Sequence, residues 1–124
     1  MIPERYEAAL PDGENLLNAT RKVESALLGA ALTVGQMPKE PPRPEDFSTE
    51  AHRVTWAAVL AIAARGEGPD LSLLHFELAR AGELERAGGP GVIASHLDST
   101  DCSDLDVYAR LVKEAARTRR LRRL

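Results

Sequence analysis

The chain has 124 residues, of which 44% are hydrophobic, 28% charged and 4% aromatic, and its formal net charge is −3. This length predicts a single domain, and apolar residues that are mainly Ala and Leu favour helices over strands. No apolar run approaches the ~20 residues that span a bilayer, and the charged N-terminus lacks the apolar core of a secretory signal. The single cysteine, Cys102, fits a reducing compartment. We therefore expect a cytoplasmic protein without membrane attachment.

The charge is distributed unevenly along the chain. Up to Ala109, 9 Lys and Arg residues stand against 18 Asp and Glu, whereas from Arg110 onwards 7 stand against 1. An acidic body therefore carries a strongly basic end. Such an end suits phosphate groups or an acidic partner, and it is equally the ordinary cationic terminus of a long helix.

The N-terminal part begins with residues 1–19, a weakly patterned leader that we expect to be flexible. Apolar spacing then predicts a first helix over residues 20–32. Prolines at positions 38, 41, 42 and 44 exclude a helix and predict an extended surface loop, which is either a plain connector or a site for a proline-recognising partner. We expect Phe47 to return this loop to the core.

The next stretch, residues 44–70, is typical of one complete helix. Ser48 or Thr49 can cap its start, and Gly66 can end it with a left-handed backbone. Between these ends lies a single buried stripe at helical spacing, made of His52, Trp56, Val59, Leu60 and Ala63. We interpret His52 as a hydrogen-bonded core histidine.

A third helix is predicted over residues 73–81, capped by Ser72 and ended by Gly82. The sequence Gly-Gly-Pro-Gly at 88–91 then predicts a tight corner.

Two further helices follow this corner. A short one is predicted over residues 92–99, and a last one from Leu105 to about Arg120, capped by Ser103. Strand signals and internal repeats are absent from the sequence, so the predicted fold is all-α.

Residues able to carry catalysis do not form a recognisable site. A phosphate-binding loop requires a lysine directly after a glycine, and this sequence contains no such pair. The three histidines and Cys102 lack the spacing of metal ligands, and the acidic neighbours Asp101 and Asp104 disfavour a thiolate nucleophile. We predict no catalytic, cofactor-binding or metal-binding residue, and therefore no enzyme activity in this chain.

The basic end is the remaining candidate site. Its cations surround most of one helix, an arrangement that would give salt-sensitive binding to nucleic acid, although no aromatic residues are present for stacking on single strands. The alternative is a solvated helix that enters a linker. The candidate contacts are Arg110, Lys113, Arg117, Arg119, Arg120, Arg122 and Arg123.

Five segments, in order and spacing, resemble one known family. They are ESALLG at 24–29, PEDF at 44–47, HRVTWAAVLAIAARG at 52–66, PDLSLLHFELARAGELERAGG at 69–89 and DVYARLVKEAARTRRL at 106–121. Each segment is weakly specific alone. Together, over residues 20–124, they resemble the N-terminal domain of the DnaB-type replicative DNA helicases.

The resemblance implies an all-α fold with a small helical globule, residues 20–104, that includes the first arm of a C-terminal hairpin. The second arm, residues 105–124, would run into a basic linker helix. The implied role is non-catalytic: oligomerisation within a helicase ring, and docking of primase and helicase loader during DNA replication.

Particular residues follow from this resemblance and from the helical stripes. The implied subunit-pairing residues are Ile93, Leu97, Tyr108, Leu111, Val112 and Ala115. The expected core anchors are Leu28, Phe47, His52, Trp56, Leu60, Leu74 and Leu78. The implied partners are further copies of the chain, a primase, a helicase loader and, through the basic end, DNA.

Two departures from the family pattern leave alternatives open. The proline-rich loop replaces most of a helix that the family usually has before PEDF, and the sequence contains no ATPase motor. The chain is therefore an excised domain, a stand-alone relative that competes for a helicase's partners, or a domain whose motor has been replaced. A small stand-alone nucleic-acid-binding protein is the alternative from a different functional class.

Overall fold

The computed structural model describes residues 13–98 and 104–122, which form five α-helices and one 3-10 turn, with no strand among them. The all-α prediction is confirmed. No helix in the described part of the chain is long and apolar enough to cross a membrane. The elements are α1 (Gly13–Val34), the 3-10 turn (Pro44–Asp46), α2 (Glu50–Ala64), α3 (Leu71–Arg80), α4 (Gly89–Asp98) and α5 (Leu105–Arg122).

Helix α1 begins earlier than the predicted start at Thr20. Residues 13–19, which the sequence assigns to a leader, belong to this helix, and residues 1–12 lie outside the described part. Thr20 lies within α1, where its hydroxyl donates a hydrogen bond of 2.8 Å to the Leu16 carbonyl one turn earlier. A helix interior accommodates this bond, so Thr20 does not mark a helix start.

Side-chain oxygens cap the next two helices. Thr49 Oγ1 accepts the backbone N–H of His52 at 3.1 Å, as one of the two predicted caps of α2. For α3 the predicted cap is wrong: Asp70 Oδ1 accepts the N–H of Leu73 at 2.8 Å. Asp70 has the extended backbone of a capping residue, whereas Ser72 already lies in the first turn of the helix.

Glycines end two of the helices as predicted. Gly66 and Gly82, which follow α2 and α3, have left-handed φ values of +82° and +72°. The predicted corner at 88–91 differs from the structure, because α4 already begins at Gly89. Pro90 lies in its first turn, where a missing N–H costs no helical hydrogen bond.

Hydrogen bonds join the start of α5 to the residue that precedes it and to the proline-rich loop. Asp104 Oδ1 accepts the N–H of Val107 at 3.2 Å, while the predicted cap, Ser103, lies outside the described residues. Asp106 accepts the backbone N–H of Lys39 at 2.9 Å, so its carboxylate holds the proline-rich loop.

The proline-rich loop packs against two helices. Trp56 of α2 donates its indole N–H to the Pro42 carbonyl at 2.7 Å, and Lys113 of α5 donates to the Glu40 carbonyl at 2.9 Å. Pro38 and Pro42 are buried. The loop is therefore a packed connection and only in part the exposed surface that the sequence predicts.

Helix α1 lies at the centre of the packing. It contacts α4 and α5, while α2 packs on α3 and on the 3-10 turn. Within the described residues, α4 and α5 each pack mainly on α1.

The expected core anchors occupy different depths. Leu60 is only partly buried at the edge of the core, and His52 is 9% exposed. The others are at most 1% exposed, namely Leu28, Phe47, Trp56, Leu74 and Leu78.

Candidate interaction surfaces

A buried carboxyl group fixes α1 to the start of α2. Glu24 is 0% exposed, and its Oε2 accepts the Ser48 backbone N–H at 2.8 Å. Its Oε1 accepts the Ser48 hydroxyl at 3.0 Å and lies 2.7 Å from His52 Nδ1. A carboxyl group removed from water requires partners of this kind, and here each oxygen has at least one.

A second histidine links α4 to this Glu24 cluster. His96 Nδ1 lies 2.7 Å from Ser25 Oγ, and its ring is 5.3 Å from that of His52 in an edge-on arrangement. Burial, and then the neighbouring His52, lower the pKa of His96 to about 4. The imidazole is therefore neutral at neutral pH, because the low-polarity surroundings disfavour its charged form.

The Glu24 cluster is structural in character. The predicted core position of His52 agrees with its burial, whereas sequence reasoning missed Glu24 as its partner. The available signal was an acidic residue one turn before Leu27 and Leu28, on the apolar face of α1. Among the residues that the structure describes, no three His, Cys, Asp or Glu side chains could hold a metal ion together.

The predicted subunit-pairing residues do not form one accessible surface. Ile93 and Val112 are each 1% exposed, because α4 and α5 turn these side chains inward in the single chain. They are core residues here, which corrects their assignment to a free surface. Partial exposure is kept by Leu97, Tyr108, Leu111 and Ala115.

Three of the predicted basic contacts are held within the chain. Lys113 donates to the proline-rich loop, as described above. Arg119 Nη2 donates to the Asp46 carbonyl at 2.7 Å, and Arg120 Nη1 donates to the Asp46 carboxylate at 3.2 Å. These bonds fasten the end of α5 to the 3-10 turn, so these cations are less available to an outside anion than the sequence suggests.

The other basic side chains differ in their surroundings. Arg110 lies 3.9 Å from Glu114 in a loose, exposed pair. Arg117 and Arg122 are exposed and form no ion pair with any other described residue. Arg123 lies outside the described part.

Two adjoining depressions lie along the end of α5, the first facing the start of α1 and the second facing mainly the 3-10 turn and α2. The first, named here the apolar groove, has a volume of about 240 Å³ and is lined from α1 by Leu16, Leu17 and Thr20 and from α5 by Ala115, Thr118, Arg119 and Arg122. The second, named here the basic cavity, has a volume of about 230 Å³ and contains Arg53, Arg119, Arg120 and Glu45. Leu17 and Arg119 line both.

A separate exposed aromatic residue lies on α3. Phe76 is 67% exposed and borders an ion-pair network in which Glu77 contacts Arg65 and Arg80, each at 3.0 Å. These hydrogen bonds lower the pKa of Glu77 below its ordinary value, and Arg80 contributes more to this shift than Arg65. Both arginines of this network are solvent-exposed, and ion pairs at the surface contribute little to stability.

Comparison with known proteins places the fold and its surfaces in context. The sequence model described as the DnaB-like helicase N-terminal domain matches residues 17–114. The crystal structure of the N-terminal domain of DnaB helicase from Mycobacterium tuberculosis is similar, with a TM-score of 0.75 and 30% sequence identity. The match covers 82% of this chain and 77% of that one.

Two curated relatives are similar in sequence. The replicative DNA helicase DnaB of Geobacillus stearothermophilus is 38% identical over 79 residues, which are 63% of this chain and 17% of the relative. The replicative DNA helicase DnaC of Bacillus subtilis is 33% identical over 107 residues, which are 81% of this chain and 23% of the relative. The chain thus spans less than a quarter of the length of either relative.

Proposed function

Because the chain belongs to the family of DnaB-like helicase N-terminal domains, we propose that it is a non-catalytic assembly and docking domain of a replicative DNA helicase. The observation that carries this proposal is the family match over residues 17–114, which includes parts of all five helices. Its role lies in DNA replication, and the proposed location is the cytoplasm.

The proposed first activity is pairing with further copies of the chain. The pairing surface uses the partly exposed Leu111 and Tyr108 of α5 together with Leu97 of α4, whereas Ala115, which is also partly exposed, lines the apolar groove. Adjacent apolar side chains left in water favour association, since pairing removes them from solvent.

Light scattering on the full chain over a range of concentrations tests the pairing. We expect a dimer or larger assembly for the wild type, and a monomer for Leu111→Glu, because the substitution places a charge in the contact. Phe76→Glu is the matched control, since it removes an exposed apolar side chain from α3, and it should leave the mass unchanged. A wild-type monomer at high concentration, or an unaltered mass for Leu111→Glu, contradicts pairing.

The proposed second activity is docking of a primase and a helicase loader. Family membership and the exposed apolar surface support it. Phe76 and Leu121 belong to this surface and are 67% and 62% exposed. Co-purification from cells that are replicating DNA tests it. We expect a primase or a loader to be recovered with the chain, and the recovery of neither would contradict docking. A stand-alone competitor would also bind such a partner, but it would lack the helicase motor.

A second candidate function is DNA binding through α5. The exposed side chains of Arg110, Arg117 and Arg122 favour it. Because three phosphate contacts release about three counterions, the expected slope of log affinity against log salt is about −2 to −3. Truncation after Lys113 should abolish binding, and affinity that does not change with salt excludes this function.

A further inference from the structure

We propose that the apolar groove between α1 and α5 is a docking site for an amphipathic helix with acidic flanks, contributed by a different polypeptide. The inference deepens the proposed docking function and rests on it for the existence of a partner. It adds the surface that is used and the chemistry that this surface recognises.

The shape and lining of the apolar groove suit a helix. Its lining includes the small side chains of Thr20 and Ala115 and the large apolar side chain of Leu16, which is 41% exposed. Along α5 the lining runs from Ala115 to Arg122, a distance of about 10 Å or two helical turns. A helix laid between two packed helices can insert its apolar stripe into such a groove.

Charge selects the flanks of the incoming helix. Arg122 lines the apolar groove, is exposed, and forms no ion pair within residues 13–98 and 104–122. Arg119 lines both the groove and the basic cavity, and the lining of that cavity also includes Arg53, Arg120 and Glu45. Arginine binds carboxylates through a planar fork of donors, so Glu or Asp beside the apolar stripe would be favoured and Lys would be repelled.

The same observations favour a protein over a nucleic acid. A phosphate backbone offers no apolar side chain to cover Leu16 and Leu17, which line the groove. An amphipathic helix satisfies both halves of the surface, since it buries the leucines and presents carboxylates to the rim.

Fluorescence anisotropy with two synthetic peptides tests the proposal on the full chain. The probe is a helical peptide of about 15 residues, roughly four turns, with leucines on one face and glutamates on both flanks. Its control carries lysine in place of every glutamate. We expect the acidic peptide to bind at least about tenfold more tightly than the lysine peptide.

Paired variants of the chain locate the binding site. Leu16→Glu and Arg122→Glu, which alter the apolar groove, should each weaken the acidic peptide by about tenfold. Val92→Glu, which changes a side chain of α4 that is 42% exposed, and Arg110→Glu alter residues outside the groove and should leave the affinity unchanged. Circular dichroism establishes that each variant is folded.

Several outcomes would overturn the proposal. Equal binding of both peptides excludes charge selection, and unaltered binding to Leu16→Glu excludes the groove. A wild-type dimer that Leu16→Glu dissociates assigns the groove to a second copy, and displacement of the peptide by duplex DNA assigns it to nucleic acid. Failure here, while primase or loader still co-purifies with the chain, rejects the groove and leaves the proposed docking function standing.

Discussion

The middle and the start of helix α1 lie in opposite environments. Glu24, in the middle, is a carboxyl group at 0% exposure with partners on α2 and the segment before it. Leu16, near the start, is an apolar side chain at 41% exposure beside the apolar groove. One helix therefore carries a polar group inside the protein and an apolar group outside it.

This difference separates stability from recognition. A buried carboxyl group is tolerated only while its hydrogen bonds persist, so the Glu24 cluster fixes the relative positions of α1 and α2. An exposed leucine contributes little to folding, yet its burial by a partner would be favourable. Substitutions at the two places should therefore affect different measurements.

The largest expected effect is on the Glu24 cluster. Glu24→Ala removes the acceptor of the Ser48 groups and the partner of His52, and should lower the free energy of unfolding by about 3 to 5 kcal/mol. Urea denaturation measures this loss. Glu45→Ala, which removes an exposed carboxylate, is the control and should change it by less than about 0.5 kcal/mol. A loss below about 1 kcal/mol for Glu24→Ala would contradict the anchoring role.

The next effect is a pH dependence from His96. Its pKa is about 4 in the folded chain and about 6.5 when unfolded. Between about pH 6.5 and pH 4 the unfolded state therefore binds more protons, so stability should fall by up to about 3 kcal/mol as the pH decreases across this range and level off below it. The measurement is the free energy of unfolding at neutral and at acid pH, and in His96→Gln it should depend less on pH than in the wild type. The exposed control, His75→Gln, should not, and equal curves for both variants would exclude His96 as the source.

A smaller effect is expected where the end of α1 meets the loop before α3. A Cβ atom on Gly68 would lie 2.8 Å from the Gly35 carbonyl oxygen, a backbone atom that cannot easily move away. Gly68→Ala should therefore cost about 2 kcal/mol in thermal or urea unfolding. Gly91→Ala, where a Cβ meets nothing within 4 Å, should be neutral or stabilising. If Gly68→Ala and Gly91→Ala changed the free energy of unfolding equally, the backbone at Gly35 would be able to move away from the added Cβ atom without cost.

The smallest expected effect on stability lies at the apolar groove. Leu16→Glu should change the free energy of unfolding by less than about 0.5 kcal/mol, because the side chain is already partly in water. The same variant is expected to lose peptide affinity, as described above. A stability loss comparable with that of Glu24→Ala would show that Leu16 belongs to the core and would remove the contrast between the two regions.

Helix positions were largely predictable because their signals are local. Thr49 and Gly66 bound α2 as expected, since a cap and a left-handed glycine act on neighbouring backbone groups. The errors arose where local signals compete. Asp70 and Ser72 are both capping residues, and Pro90 is compatible with a turn and with the first turn of a helix.

The candidate site was less predictable because it depends on which helices meet. The spacing of Val112 and Ile93 marks both as apolar-face residues, but cannot say whether that face meets α1 or another molecule. Likewise, a run of arginines does not reveal that Arg119 and Arg120 donate to Asp46, more than 70 residues earlier in the sequence.

The sequence by itself determined the helical class, most helix limits, the buried role of His52 and Trp56, and the family. These depend on periodicity and on nearest neighbours along the chain. Only the tertiary structure decided that Glu24 is the partner of His52, that the proline-rich loop is packed down, and that α1 and α5 leave an apolar groove between them. Such pairings join residues distant in sequence, and their free energy depends on burial, which no local pattern specifies.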